Sequence, residues 1–166
     1  VFCISFIEAH VAIISTALPF VLGNEESVMP WLFETLCLAP VPGINTSSRS
    51  IPQLCLSLTK AMGSSAKWLC HGQVGQKYLP AVFETLSVCL TDPLYQLQAA
   101  ESLRDILSKC GHLPGSHTEA MKIHTFLLSA RAGTGGVTPL PLQADLYLLQ
   151  GICDVLSAYN LKAKTE

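Results

Sequence analysis

Charge is what this chain has least of. Only 13% of its 166 residues are Asp, Glu, Lys or Arg, although 49% are hydrophobic; a soluble domain usually carries about 25% charge. A free-standing globule needs more surface charge than this, whereas a segment covered by its neighbours does not. The expectation is an internal segment of a larger protein, and the start at Val1, without Met and in mid-pattern, agrees with it. No basic run occurs, and the net charge is −2, so the electrostatic footprint of nucleic-acid binding is missing. A membrane span is not expected either, and a buried helix is. The longest apolar stretch, VFCISFIEAHVAIISTALPFVLG, has Glu8 and His10 at its centre and is broken by Pro19, and an intramembrane Glu is costly. It also lacks the basic start and small-residue cleavage site of a signal peptide.

Paired cysteine motifs are equally lacking. The seven cysteines (Cys3, Cys37, Cys55, Cys70, Cys89, Cys110 and Cys153) include no C-x-x-C, and most lie within apolar runs as small hydrophobes. Free thiols in a reducing compartment, cytosol or nucleus, fit best.

Period-two alternation, the mark of strands, is nowhere sustained; helical spacing runs throughout. Helices are expected over about 3–18, 27–39, 50–63, 76–90, 93–110, 117–131 and 142–159. Ser50 and Asp92 serve as N-caps, Pro30, Pro52 and Pro93 sit in first turns, and Gly63 closes the third helix. The stretch SSAKWLCHGQ reads as a short turn-and-helix connector. The helix from Pro93 is expected to bury Leu94, Leu97, Ala100, Leu103 and Ile106. The helix after it runs through Met121, Ile123, Phe126 and Leu127.

Paired up, these helices show a period. First members begin near 3, 50, 93 and 142, giving steps of about 47, 43 and 49 residues, and helix pairs repeating at about 40–47 residues are the signature of HEAT or armadillo solenoids. The fold class expected is therefore all-α, a HEAT-repeat solenoid of stacked antiparallel helix pairs, with approximate repeats at 3–39, 50–90, 93–131 and an incomplete 142–166. The phrase Pro-x-x-Phe-Glu-Thr-Leu occurs twice, from Pro30 and from Pro80, on the second helix of successive pairs. A single pair cannot bury its apolar faces alone and stacks on its neighbours. Phe33, Leu36, Phe83 and Leu86 are expected to pack inward, with Glu34 and Glu84 directed to one common surface.

Signs of catalysis are sparse. GTGG at 133–136 lacks the Lys-Ser/Thr of a phosphate loop and its strand-to-helix setting. Cys110, His112, His117 and His124 resemble a metal set, but their spacings are looser than zinc ligands usually show. Cys70 is followed by His71, yet neighbours in sequence need not face each other, and no G-x-S-x-G elbow exists. No enzyme, cofactor or metal is expected. Trp31, Trp68 and Tyr78 read as packing aromatics, with Trp68, in the connector, the one placed for a contact role.

Three passages resemble the middle of a karyopherin-β nuclear transport receptor (importin-β superfamily), in the importin-13/transportin-3 branch. IEAHVAIISTALPFVLGNEESVMPWLFETL has that family's helix, acidic break and second helix led by proline. WLCHGQVGQKYLPAVFETLSVCLTDPLYQLQAAESLRDILSKCGHLPG resembles its repeat, and DLYLLQGICDVLSAYNL the first helix of the next one. The resemblance implies a protein of cytoplasm and nucleus that wraps cargo proteins on the inner face of a superhelix. It further implies contacts with FG-nucleoporins on the outer side and exchange of cargo under control of RanGTP, with Ran held mainly by repeats outside this segment. In that family the second helices line the concave face, which singles out Glu34, Lys77, Glu84, Lys122 and Arg131 as protein-binding candidates.

Overall fold

The structure, a computed structural model, describes residues 51–71, 73–134 and 138–163. The expected repeat 3–39, with its helices, Trp31, Phe33, Glu34 and Leu36, lies outside the described residues. Within them the chain is all-α: α1 (Ile51–Ser64), α2 (Ala66–His71), α3 (Gln73–Cys89), α4 (Gln96–Cys110), α5 (Ser116–Ala132) and α6 (Leu142–Ala163), with no strand among the described residues.

Pro52 occupies the first turn of α1, where a missing N–H costs nothing. Gly63, expected to end this helix, lies inside it for another reason. A Cβ there would come within 2.7 Å of Ser102 Oγ and 2.8 Å of Ser102 Cα, so glycine is what lets α1 and α4 approach. At the same crossing the Ser102 hydroxyl donates to the Thr59 carbonyl at 2.8 Å. After a single turn residue, Ser65, the connector forms α2 and buries Leu69 completely.

The helix expected from about 76 begins at Gln73, so Pro80 falls inside α3. There it removes the N–H that would reach the Gln76 carbonyl, a loss tolerated on an exposed face. Gly75, Leu79, Val82, Leu86 and Cys89 recur at four and three and make the buried stripe, with Phe83 beside it. Phe83 and Leu86 do pack inward, and Glu84 is exposed.

Asp92 links α3 to α4. Its carboxylate accepts from the Leu94 N–H at 2.9 Å, and its carbonyl accepts from Tyr95 and Gln96 at 2.9 and 3.1 Å. The cap thus makes a turn over residues 93–95, and the regular helix opens at Gln96 rather than Pro93. The buried face of α4 also differs from expectation. Ala100, Leu103 and Ile106 are buried, but Leu94 and Leu97 are 55% and 47% exposed. The core instead takes Ala99, Ser102, Leu107 and Cys110. The physical reason is that α4 packs against α1, α2 and α3 as well as α6. Its buried arc is broad and centred on the row 99–103–106–110, and Leu94 and Leu97 fall outside it, beside Glu101 and Ser108.

The packing of α4 on α6 is close. A Cβ on Gly151 would lie 3.1 Å from Arg104 Cα and 2.9 Å from Leu107 Cδ1, and one on Gly111 would lie 3.1 Å from Val155 Cα. Ala144, Leu148, Ile152 and Val155 supply the apolar surface on the α6 side. α5 packs mainly on α6 through Ala120, Ile123, Leu127 and Ala130, with Met121 left 43% exposed. Gly115 (φ 89°) leads into α5. Gly133 (φ 64°) ends it, donating to Ala130 while Thr134 donates to Ser129, the left-handed glycine stop that closes many helices.

Candidate interaction surface

On α3 the positions 73, 77, 80, 84 and 87 share one side of the helix, and all five residues are exposed. Lys77 and Glu84 lie on this strip two turns apart, about 10 Å along the axis. The side is polar because the opposite one carries the whole burial of the helix, Gly75 to Cys89. Beside it runs a groove of about 220 Å³ between the middle of α3 and the start of α5, lined by Gln76, Pro80, Phe83, Leu113 and Glu119.

The two candidates on α5 are already engaged. Lys122 Nζ meets Glu119 Oε1 at 2.7 Å on the same helix. Arg131 reaches across to α6, donating through Nε and Nη2 to Asp145 Oδ2, with the Nε contact at 3.1 Å. The Asp145 hydrogen bond, with its charge, raises the Arg131 pKa above its ordinary value. Asp145 Oδ1 is buried with no hydrogen-bond partner, so one carboxylate oxygen takes both guanidinium contacts. A hollow of about 410 Å³, lined by Arg131, Gly133, Pro139, Leu140, Leu142 and Asp145, opens beside this pair. The five expected contact residues therefore separate into Lys77 and Glu84, exposed on one strip; Lys122 and Arg131, held by acidic neighbours; and Glu34, outside the described residues.

One polar cluster has no counterpart among the sequence expectations. The Arg104 guanidinium stacks 4.5 Å over the Tyr147 ring and contacts Asp105 at 2.6 Å, with Glu101 at 4.0 Å. Its hydrogen bond to Asp105 chiefly raises its pKa. The i,i+3 spacing of Glu101 and Arg104 is visible in the sequence, but the partner ring comes from a helix 43 residues further on, which no local pattern reports.

Several features weighed as chemistry make packing or backbone contacts. Gly133 of GTGG is the helix stop just described. His71 turns its Nδ1 back to the Lys67 carbonyl at 2.8 Å rather than to Cys70. Trp68 is half-buried, its ring tilted against Tyr78 at 5.9 Å. Cys110 is fully buried, and His117 packs its ring 5.1 Å from Tyr159. Among the described residues no group of three His, Cys, Asp or Glu side chains is arranged to hold a metal. Of the five described cysteines, Cys55, Cys89 and Cys110 belong to the core, as expected of small hydrophobes, and all five are free thiols. Burial pushes Cys89 up to about 11 and Cys110 up to about 12, so both stay protonated at neutral pH. Set beside family models, curated proteins and solved structures, the chain matches none of them.

Proposed function

We propose that the chain is part of a HEAT-type helical solenoid in a nuclear transport receptor of the karyopherin-β kind, which binds cargo proteins and carries them through the nuclear pore under RanGTP control. The observation that carries the solenoid reading is the order of packing. α4, the first helix of one expected pair, lies against α1 through Ser102 and against α6 through Arg104 and Leu107. In that reading the first helices lie side by side, as a stack of repeats requires. The outer side of α6 supports the same reading. Leu142, Leu146, Leu149, Cys153 and Leu156 follow one another at four and three residues, opposite the row Ala144, Leu148, Gly151 and Val155 that faces α4. Leu142 and Leu146 are 74% and 50% exposed there. An apolar stripe in that position suits the first helix of a following repeat.

The transport reading rests on the three passages of sequence resemblance. In it, the strip of Lys77 and Glu84 belongs to the cargo-facing side, and small rotations between neighbouring repeats add up to a change of curvature that a ligand can bias. The test is the affinity of the full-length protein for Ran loaded with GTP against Ran loaded with GDP. A strong preference for the GTP form is the expected result. Equal or absent binding of both forms overturns the transport reading and moves the function to a helical scaffold unrelated to nuclear transport.

A further inference from the structure

Two thiols lie where α2 touches α4. Cys70 is the penultimate residue of α2 and Cys110 the last of α4. Each contacts the backbone of the opposite element: Cys70 Sγ donates to the Lys109 carbonyl at 3.1 Å, and Cys110 Sγ to the Ala66 carbonyl at 3.7 Å. These reciprocal contacts hold both sulfurs in the seam between the helices. The two differ in access, since Cys70 is half-buried and Cys110 fully buried. His112, just beyond the end of α4, places Nε2 3.8 Å from Cys70 Sγ.

We propose that Cys70 is an oxidation site for low-molecular-weight disulfides and that Cys110 completes the reaction by closing a Cys70–Cys110 disulfide. The chemistry balances in two exchanges. Cys70 gives up its proton, with the His112 ring as acceptor, and its sulfur attacks one sulfur of the small disulfide. That S–S bond breaks, and the first small thiol leaves with a proton. Cys110 then loses its proton as its sulfur attacks Cys70 Sγ, expelling the second small thiol. Two protein thiols are oxidised, one small disulfide is reduced to two thiols, and no further oxidant is needed. The burial that keeps Cys110 protonated also shields it from the solvent oxidant, so the order of events is set by access. The bond would tie the connector leading into α3 to the end of α4, fixing the angle between one helix pair and the next. This inference stands apart from the transport reading and does not depend on it.

The test is equilibration of the native chain with reduced and oxidised glutathione, trapping with N-ethylmaleimide, and peptide mass spectrometry. The expected product is a peptide pair linked through Cys70 and Cys110, with glutathione released from both. In Cys110→Ala the reaction stops with glutathione attached to Cys70, and in Cys70→Ser Cys110 remains a thiol. His112→Gln slows the first exchange several-fold and leaves the equilibrium ratio unchanged. The wild-type result decides by itself if a variant fails to fold. Glutathione resting on Cys70 beside a free Cys110 thiol, oxidation confined to Cys153, or a linked peptide that forms only in urea overturns the proposal.

Discussion

Replacing Gly63 by alanine is expected to destabilise the protein, against the usual direction for a helical glycine. Within a helix, glycine to alanine typically gains about 1 kcal/mol, and less here because Gly63 is the penultimate residue of α1. The added Cβ would lie 2.7–2.8 Å from Oγ, Cα and Cβ of Ser102, closer than such atoms approach. A rotamer change at Ser102 moves Oγ but not the backbone carbon, so α1 and α4 must separate. Overpacking of this kind costs about 1–3 kcal/mol. The shift also strains the hydrogen bond from Ser102 to the Thr59 carbonyl, both residues being buried, for about 1 kcal/mol more. The net expectation is a loss of about 1–3 kcal/mol, or a midpoint lower by roughly 3–10 °C, read by far-UV circular dichroism during thermal and urea unfolding. Adding Ser102→Gly removes Oγ and Cβ but leaves the backbone of α4 in the way, so it recovers only part of the loss. A Gly63→Ala protein as stable as the wild type, or more stable, would refute the close α1–α4 crossing.

The observed face of α4 separates two leucines that look equivalent in the sequence. Leu103→Ala, at a fully buried position, should cost about 2–5 kcal/mol, and Leu97→Ala, 47% exposed, should stay within about 0.5 kcal/mol; urea midpoints compare them directly. Gly115→Ala should cost about 1–2 kcal/mol of backbone strain alone, because the residue sits at φ 89° with nothing within 4 Å of the added carbon, and thermal unfolding reads it. Stability should fall at alkaline pH: the native fold raises Cys89 from 9.0 to about 11 and Cys110 from 9.0 to about 12, so it holds protons that the unfolded chain releases. That contribution is complete below about pH 9 and is lost as pH rises through 11 to 12, which urea midpoints measured across this range and repeated on Cys89→Ala will show. Leu146→Lys, on the outer stripe of α6, should raise the solubility of the isolated chain without lowering its unfolding midpoint; static light scattering against concentration checks this.

The sequence shows where helices are and misjudges where they touch. Local signals are sufficient for α1, α3, α5 and α6, because Pro52 in a first turn, Gly133 after α5 and the three-and-four spacing of apolar residues all act within a few residues. α4 shows the limit. Leu94–Leu97–Ala100–Leu103–Ile106 is a sound amphipathic row, and by hydrophobicity alone Leu97 outranks Ala99 or Ser102. The structure chooses Ala99 and Ser102 because helices on more than one side demand small residues where the axes approach. Gly63 and Gly151 are the matching positions in α1 and α6: each looks like a break or a weak helical position, and each is a point of close approach.

The same reasoning explains why the contact residues are only half legible. Exposure of Lys77 and Glu84 follows from the α3 pattern, since a helix with one buried stripe must turn the opposite strip outward. Whether an exposed charge is available to a partner depends instead on what other helices bring near it. Asp145 of α6 meets Arg131 from 14 residues further along the chain, and Tyr147 covers Arg104 from another helix. A charge reversal therefore has different meanings at different sites. Lys77→Glu removes a cation from the α3 strip and tests binding there, while Arg131→Glu also sets two carboxylates side by side at Asp145 and disturbs the packing between α5 and α6. Loss of partner binding in Lys77→Glu with an unchanged unfolding midpoint would mark α3 as the contacting helix; the same loss in Arg131→Glu carries that meaning only if its midpoint is also unchanged.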